Sequence, residues 1–194
     1  MTKIIAEIGF NHEGDLGLAI DMIKAIAKAG AHAVKFQTYR ASDLALPSAP
    51  HYQTIQCGEM TLDQHKELAQ VSRDCGIDFL STPFSRWAVD ILEEVGVPAY
   101  KVASMDCTNK QLLGLIAETG KPVLLSTGMA TLDEIASTLN FLNEKKSGEI
   151  TLLHCMSLYP PKVDDLNLNI IPFLKTIFGT PVGYSDHYPG IKAC

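Results

Sequence analysis

Apolar runs and helical stretches alternate along the 194-residue chain. Repeatedly, a glycine closes a helical stretch, a few residues pass, and a short apolar run follows that ends in polar residues. The runs read AVKFQT after Gly30, DFLSTPF after Gly76, AYKVAS after Gly96, PVLLST after Gly120, ITLLHC after Gly148 and PVGYSDH after Gly179. KIIAEIG opens the series without a preceding helix. Glycine suits the left-handed position past a helix end because it has no Cβ to clash. From Leu18 onward, Met22, Ile23, Ile26 and Ala27 recur at helical spacing, while Asp21, Lys24 and Lys28 are free to face water. Thr61 with Gln64, Thr108 with Gln111 and Thr131 with Glu134 predict capping boxes at three helix starts. Strands that are apolar throughout, set between helices, predict a parallel sheet covered on both faces.

Two folds fit that alternation, an open doubly wound sheet and a β/α barrel. No GxGxxG or GxxxxGK[ST] follows the first run, which removes the best support for a nucleotide-binding open sheet. Nearly every run instead ends in groups that hydrogen-bond or react: Glu7, Lys35 and Gln37, Ser81 and Thr82, Lys101 and Ser104, Ser126 and Thr127, His154, and Ser185 to His187. Polar groups at the C-terminal ends of all strands are how a barrel builds its active site. The expected fold class is α/β, a TIM-type (β/α) barrel. Seven strands are legible, where such barrels have eight in about 250 residues. Residues 1–194 are read as one barrel domain, its C-terminal part and any further domain lying outside this sequence. Tyr39 to Met60, with Pro47 and Pro50, is a long connection without a clear helical period. A functional lid and an ordinary surface excursion both fit it.

Composition narrows the class. With 16 Lys+Arg against 22 Asp+Glu the formal charge is −6, and no basic run occurs, so nucleic acid and anionic membranes are poor partners. No stretch approaches the ~18 apolar residues of a membrane span. Glu7 arrives too early for a signal-peptide core. Five cysteines, Cys57, Cys75, Cys107, Cys155 and Cys194, have no CxxC spacing. Reduced thiols in a cytoplasmic protein are the expectation.

Lys35 and Lys101 interrupt apolar strands, where an unpaired ammonium is costly to bury. Pairing to Glu7 or Asp106 is the structural alternative. With Thr82, Ser104, Ser126 and Ser185, the lysines outline a cationic pocket lined by hydroxyls, suited to a small phosphorylated or carboxylated ligand. His187 follows Asp186, a neighbour able to fix a ligating imidazole's tautomer, but one histidine is not a metal site. His12 fits solvation and substrate contact equally, and His32, His51 and His65 carry no motif. Cys107 and Cys155 lie near strand ends without an activating pattern, so nucleophilic cysteine chemistry is set aside. A Schiff-base lysine, Lys101 or Lys35, stays open.

AEIGFNHEGD, VKFQT, FLSTPF, KVASMD, GKPVLLSTGM, LLHCMSLYP and GYSDH together resemble the sialic acid synthase family, in order and spacing, across essentially the whole chain. The resemblance implies a β/α barrel that joins phosphoenolpyruvate to an N-acetylated hexose such as N-acetylmannosamine, releases phosphate, and uses manganese or magnesium. It implies a phosphoenolpyruvate pocket of Lys35, Thr82, Lys101, Ser104, Ser126 and Ser185. Gln37, Ser157 and Tyr159 fall at acceptor-sugar positions, and His187 at one metal-binding histidine. Glu7 and Asp106 become candidates for proton transfer, with Lys101 as a catalytic cation. Ser157 stands where some members carry Asn, and Asp106 where many bacterial members carry Glu. The family's second metal histidine, in an ExHF motif, and an arginine from a further domain of a neighbouring subunit have no counterpart in these residues, so a longer protein and a homodimer are expected. Two alternatives remain: a Schiff-base aldolase on the same fold, and a truncated barrel without catalysis.

Overall fold

A computed structural model describes residues 2–193, so Cys194 lies outside the described residues. By internal contacts the chain divides into two compact units, the first ending at Tyr100 and the second beginning at Lys101.

In the first unit, β1 (Ile5–Gly9), β2 (Ala33–Thr38) and β3 (Asp78–Pro83) form a sheet in the order β1-β2-β3, parallel throughout. Helices α1 (Leu16–Lys28), α4 (Leu62–Asp74) and α5 (Arg86–Val95) accompany it, while α2 (Ala41–Leu44) and α3 (Tyr52–Cys57) lie between β2 and α4. The core is built from Ile23, Val34, Phe36, Leu68 and Leu92, all buried. Phe36 and Phe79 stack across adjacent strands with ring centroids 5.4 Å apart.

The Tyr39–Met60 connection is an ordered excursion, and its two short helices escaped the periodicity because each is little more than a turn. The Tyr39 hydroxyl donates to the Ile55 carbonyl at 3.1 Å, and the Ala41 N–H donates to the Glu59 carboxylate at 2.5 Å. Gly14, at φ +82°, comes so near α3 that a Cβ there would lie 2.3 Å from the Cys57 carbonyl oxygen. Only glycine lets the first βα loop support the excursion this closely.

In the second unit the hydrogen-bonded order is β4 (Tyr100–Val102), β5 (Val123–Ser126), β6 (Ile150–His154), β7 (Val182–Tyr184). The helices are α6 (Lys110–Glu118), α7 (Leu132–Glu144) and α8 (Ile170–Phe178). Leu113, Ile116, Leu125, Leu142 and Leu152 are its buried centre. Among the described residues the strands number seven, as the apolar runs predict. No helix there is long and apolar enough to cross a membrane.

Two of the three predicted capping boxes form, at Thr61–Gln64 and Thr131–Glu134. The third does not: α6 is capped by Asn109, whose side chain accepts from the Leu112 N–H at 3.2 Å. The helix starts one residue later than Thr108 because the turn Ser104–Asp106 runs up to it and Asp106 binds the same asparagine. Replacing Asn109 with Ala is therefore expected to cost about 1 kcal/mol in urea unfolding, and Thr108→Ala close to nothing. Equal losses in the two variants would reject this cap.

Candidate functional site

In the first unit, strand register decides which groups meet. Glu7 pairs with Lys35 and Gln37 with Thr82, and alternation along the strands puts all four on one face of the sheet. The Lys35 ammonium forms an ion pair with the Glu7 carboxylate and donates to the Thr82 hydroxyl at 3.4 Å. Of the two partners left open for Lys35, Glu7 is thus the one it takes. The pairing slips by one residue between Glu7 and Gly9, a bulge that aims the carboxylate over Gly9. A Cβ on Gly9 would stand 3.2 Å from Glu7 Oε1 and 3.7 Å from Gln37 Nε2, so both side chains crowd this glycine. The result is a cation, a carboxylate, an amide and a hydroxyl at adjoining strand ends. That set can neutralise an anionic ligand and orient its oxygens.

In the second unit, Lys101 is 6% exposed on β4, and its ammonium donates to the Val102 carbonyl at 3.0 Å. Asp106 is buried; its Oδ1 accepts from Asn109 at 3.0 Å, while its Oδ2 has no partner among the described residues. Ser126, at the end of β5, is buried with its hydroxyl likewise unpartnered there. A buried polar atom left without a partner is uncommon outside sites that meet a ligand. Ser104 and Ser157 approach to 3.2 Å. Ser185 sits just past β7, its N–H donating to the His154 carbonyl at 2.8 Å.

His187 is oriented differently from the sequence expectation. Asp186 accepts from the Tyr188 N–H at 2.8 Å, and the group that fixes the imidazole is the Met156 carbonyl, 3.0 Å from Nδ1. A carbonyl only accepts, so Nδ1 carries the proton and Nε2 presents a lone pair. That lone pair faces the Tyr159 hydroxyl at 3.3 Å, with the rings 4.3 Å apart between centroids. Tyr159 itself is 75% exposed. The tautomer suits a metal ligand, yet among the described residues no three His, Cys, Asp or Glu side chains gather around one point. These residues offer one ligand and do not make a metal site.

His65 carries no motif in the sequence, and solvation fits His12 as well as contact does. Both are buried, and burial holds both imidazoles below the usual value of 6.5. The signal for His65 was available, because with Leu68, Ala69 and Ser72 it marks the buried stripe of α4. His154 Nε2 donates to the Leu166 carbonyl, 2.8 Å away, and the ring stacks on Tyr184, so it is a core histidine. Cys107 and Cys155 are buried, and burial pushes the Cys107 thiol up to about 11, an inert thiol.

The sequence model of the NeuB family matches residues 22–194. The chain is 43% identical to an N,N'-diacetyllegionaminic acid synthase of Campylobacter jejuni, over 98% of this chain and 62% of that protein. It is 36% identical to a pseudaminic acid synthase of Helicobacter pylori, over 97% and 59% respectively. Among solved structures, an N-acetylneuraminic acid (sialic acid) synthetase of Leptospira borgpetersenii in complex with citrate superposes with a TM-score of 0.94 at 39% identity, over 97% of this chain and 66% of that one. The chain spans about three fifths of the length of these two curated relatives. The fold class is α/β of the TIM-barrel type, as the repeated strand–helix order predicts.

The two buried histidines set an acid limit on stability. The unfolded chain takes up their protons near pH 6.5 and the folded chain only at lower pH, so acid favours unfolding. Their contribution is whole above pH 6.5 and is lost as the pH falls below it. Urea midpoints are expected to drop between pH 7.5 and pH 5, and the drop to shrink in His65→Gln. An unchanged drop in that variant would remove His65 from the effect.

Proposed function

Because the chain belongs to the NeuB family, we propose that it carries the catalytic β/α domain of a synthase joining phosphoenolpyruvate to an N-acetylated hexose. The products are a sialic-acid-type nonulosonate and phosphate. The relatives' names, legionaminic and pseudaminic acid synthases, support this reaction class, with N-acetylmannosamine or a related acetamido-sugar as acceptor. The observation that carries the reading is the Glu7, Lys35, Gln37 and Thr82 set on one strand-end face. It combines what a phosphorylated carboxylate and a polyhydroxylated acceptor both need.

Carbon C3 of phosphoenolpyruvate attacks the open-chain aldehyde of the sugar, and water adds at C2. The aldehyde oxygen takes up one proton to become a hydroxyl as the added water gives one up. The tetrahedral intermediate then loses the second proton of that water while its C2–O bond to phosphate breaks, leaving the keto acid and hydrogen phosphate. Lys35 with Thr82, and Lys101 with Ser104, Ser126 and Ser185, are assigned to the phosphate and carboxylate oxygens, where cations and hydroxyls offset charge as it develops. Asp106 Oδ2, buried and without a partner among the described residues, is suited to take the water's proton, as is Glu7 beside Lys35. Gln37, Ser157 and Tyr159 are assigned to the acceptor. His187 is assigned as one ligand of a manganese or magnesium ion. A cytoplasmic homodimer belongs to the same proposal.

Phosphate release from phosphoenolpyruvate in the presence of manganese is expected to depend on added N-acetylmannosamine. Lys101→Met is expected to lower that release by about 10²–10³-fold with the circular dichroism spectrum unchanged. Release that needs no sugar, or that survives in a folded Lys101→Met protein, would reject this assignment.

A further inference from the structure

On the sheet face opposite Glu7, Lys35, Gln37 and Thr82 lies a line of polar groups that the proposed chemistry does not use. His65, Thr38 and Ser81 are each 0% exposed. His65 Nδ1 lies 2.8 Å from the Thr61 carbonyl, which only accepts, so Nδ1 bears the proton. Burial keeps the ring neutral, leaving Nε2 with a lone pair. The Thr38 hydroxyl, 2.8 Å away, therefore donates to Nε2. With its proton committed there, Thr38 Oγ1 accepts from the Ser81 hydroxyl at 2.7 Å. One backbone carbonyl thus fixes the direction of every bond in the series. Thr61 is itself held as the N-cap of α4 through its box with Gln64. The titratable group that acts on His65 is His12, also buried, with burial favouring its neutral form.

The series ties the start of α4 to the C-terminal ends of β2 and β3. Thr38 follows Gln37, Ser81 precedes Thr82, and Gln37 and Thr82 are register partners. Side chains alternate across a strand, so fixing one face at these positions fixes the other. Apolar packing alone tolerates small slips and rotations of a strand end, whereas directed hydrogen bonds between buried groups do not. We infer that His65 is a positioning residue for the Gln37–Thr82 pair, acting through Thr38 and Ser81. What that pair binds rests on the proposed function; the relay itself does not.

The test combines a spectroscopic readout with binding. Nitrogen-15 NMR of the imidazoles at pH 7 is expected to show His65 as the neutral Nδ1–H tautomer; an Nε2–H tautomer would overturn the relay. Thr38→Val keeps the shape and removes the hydroxyl, and Thr38→Ser restores it. In calorimetric titration, Thr38→Val is expected to weaken phosphoenolpyruvate binding about tenfold and Thr38→Ser less than about twofold. If Thr38→Val does not fold, Ser81→Ala takes its place, with a loss of about three- to tenfold expected. Wild-type protein that binds phosphoenolpyruvate no better than the folded Thr38→Val or Ser81→Ala variant would overturn the inference alone. Wild-type protein that does not bind it at all would overturn the proposed function, and the His65 tautomer then decides the relay by itself.

Discussion

A parallel strand packed under helices has few places for a charged side chain, and the C-terminal end is the one where a helix has not yet begun. The first unit shows the consequence in β2. Val34, Phe36 and Thr38 are buried on one face, whereas Lys35 and Gln37 keep partial exposure on the other. Lys35 needs a counter-charge, and the register with β1 sets Glu7 opposite it. The bulge at Glu7 and Gly9 then brings that carboxylate over the strand end, beside Gln37. Register and bulge together convert sequence positions far apart into one group of mixed charge.

The second unit satisfies the same requirement differently. Its lysine is more deeply buried and takes a neutral carbonyl among its partners, while buried oxygens of Asp106 and Ser126 lack a partner among the described residues. The first unit's cluster is closed on itself through an ion pair, which keeps it ordered at moderate cost. The second holds its polar atoms ready at the cost of their desolvation.

Support for the strand ends comes from behind the sheet as much as from its face. By sequence Ser81 is one polar group among those at strand ends and His65 carries no motif; in the fold they join Thr38 in one hydrogen-bonded series. The long connection after β2 is likewise ordered from outside itself, with Gly14 lending close approach to α3.

Much of this was already written in the order of residues. The seven apolar runs, the glycines that close helices and the boxes at Thr61 and Thr131 are local features, set by neighbours within a few positions, so they are legible without coordinates. The candidate site was legible as a set of residues because chemistry at strand ends recurs at each run. Its internal wiring was not. That Lys35 takes Glu7, that His187 is oriented by the Met156 carbonyl instead of Asp186, and that Asn109 displaces Thr108 as a cap all depend on register and on backbone groups brought in from other elements. Sequence determines which groups each strand carries; only tertiary structure decides which of them face one another, because a hydrogen bond depends on distances that separation along the chain does not set.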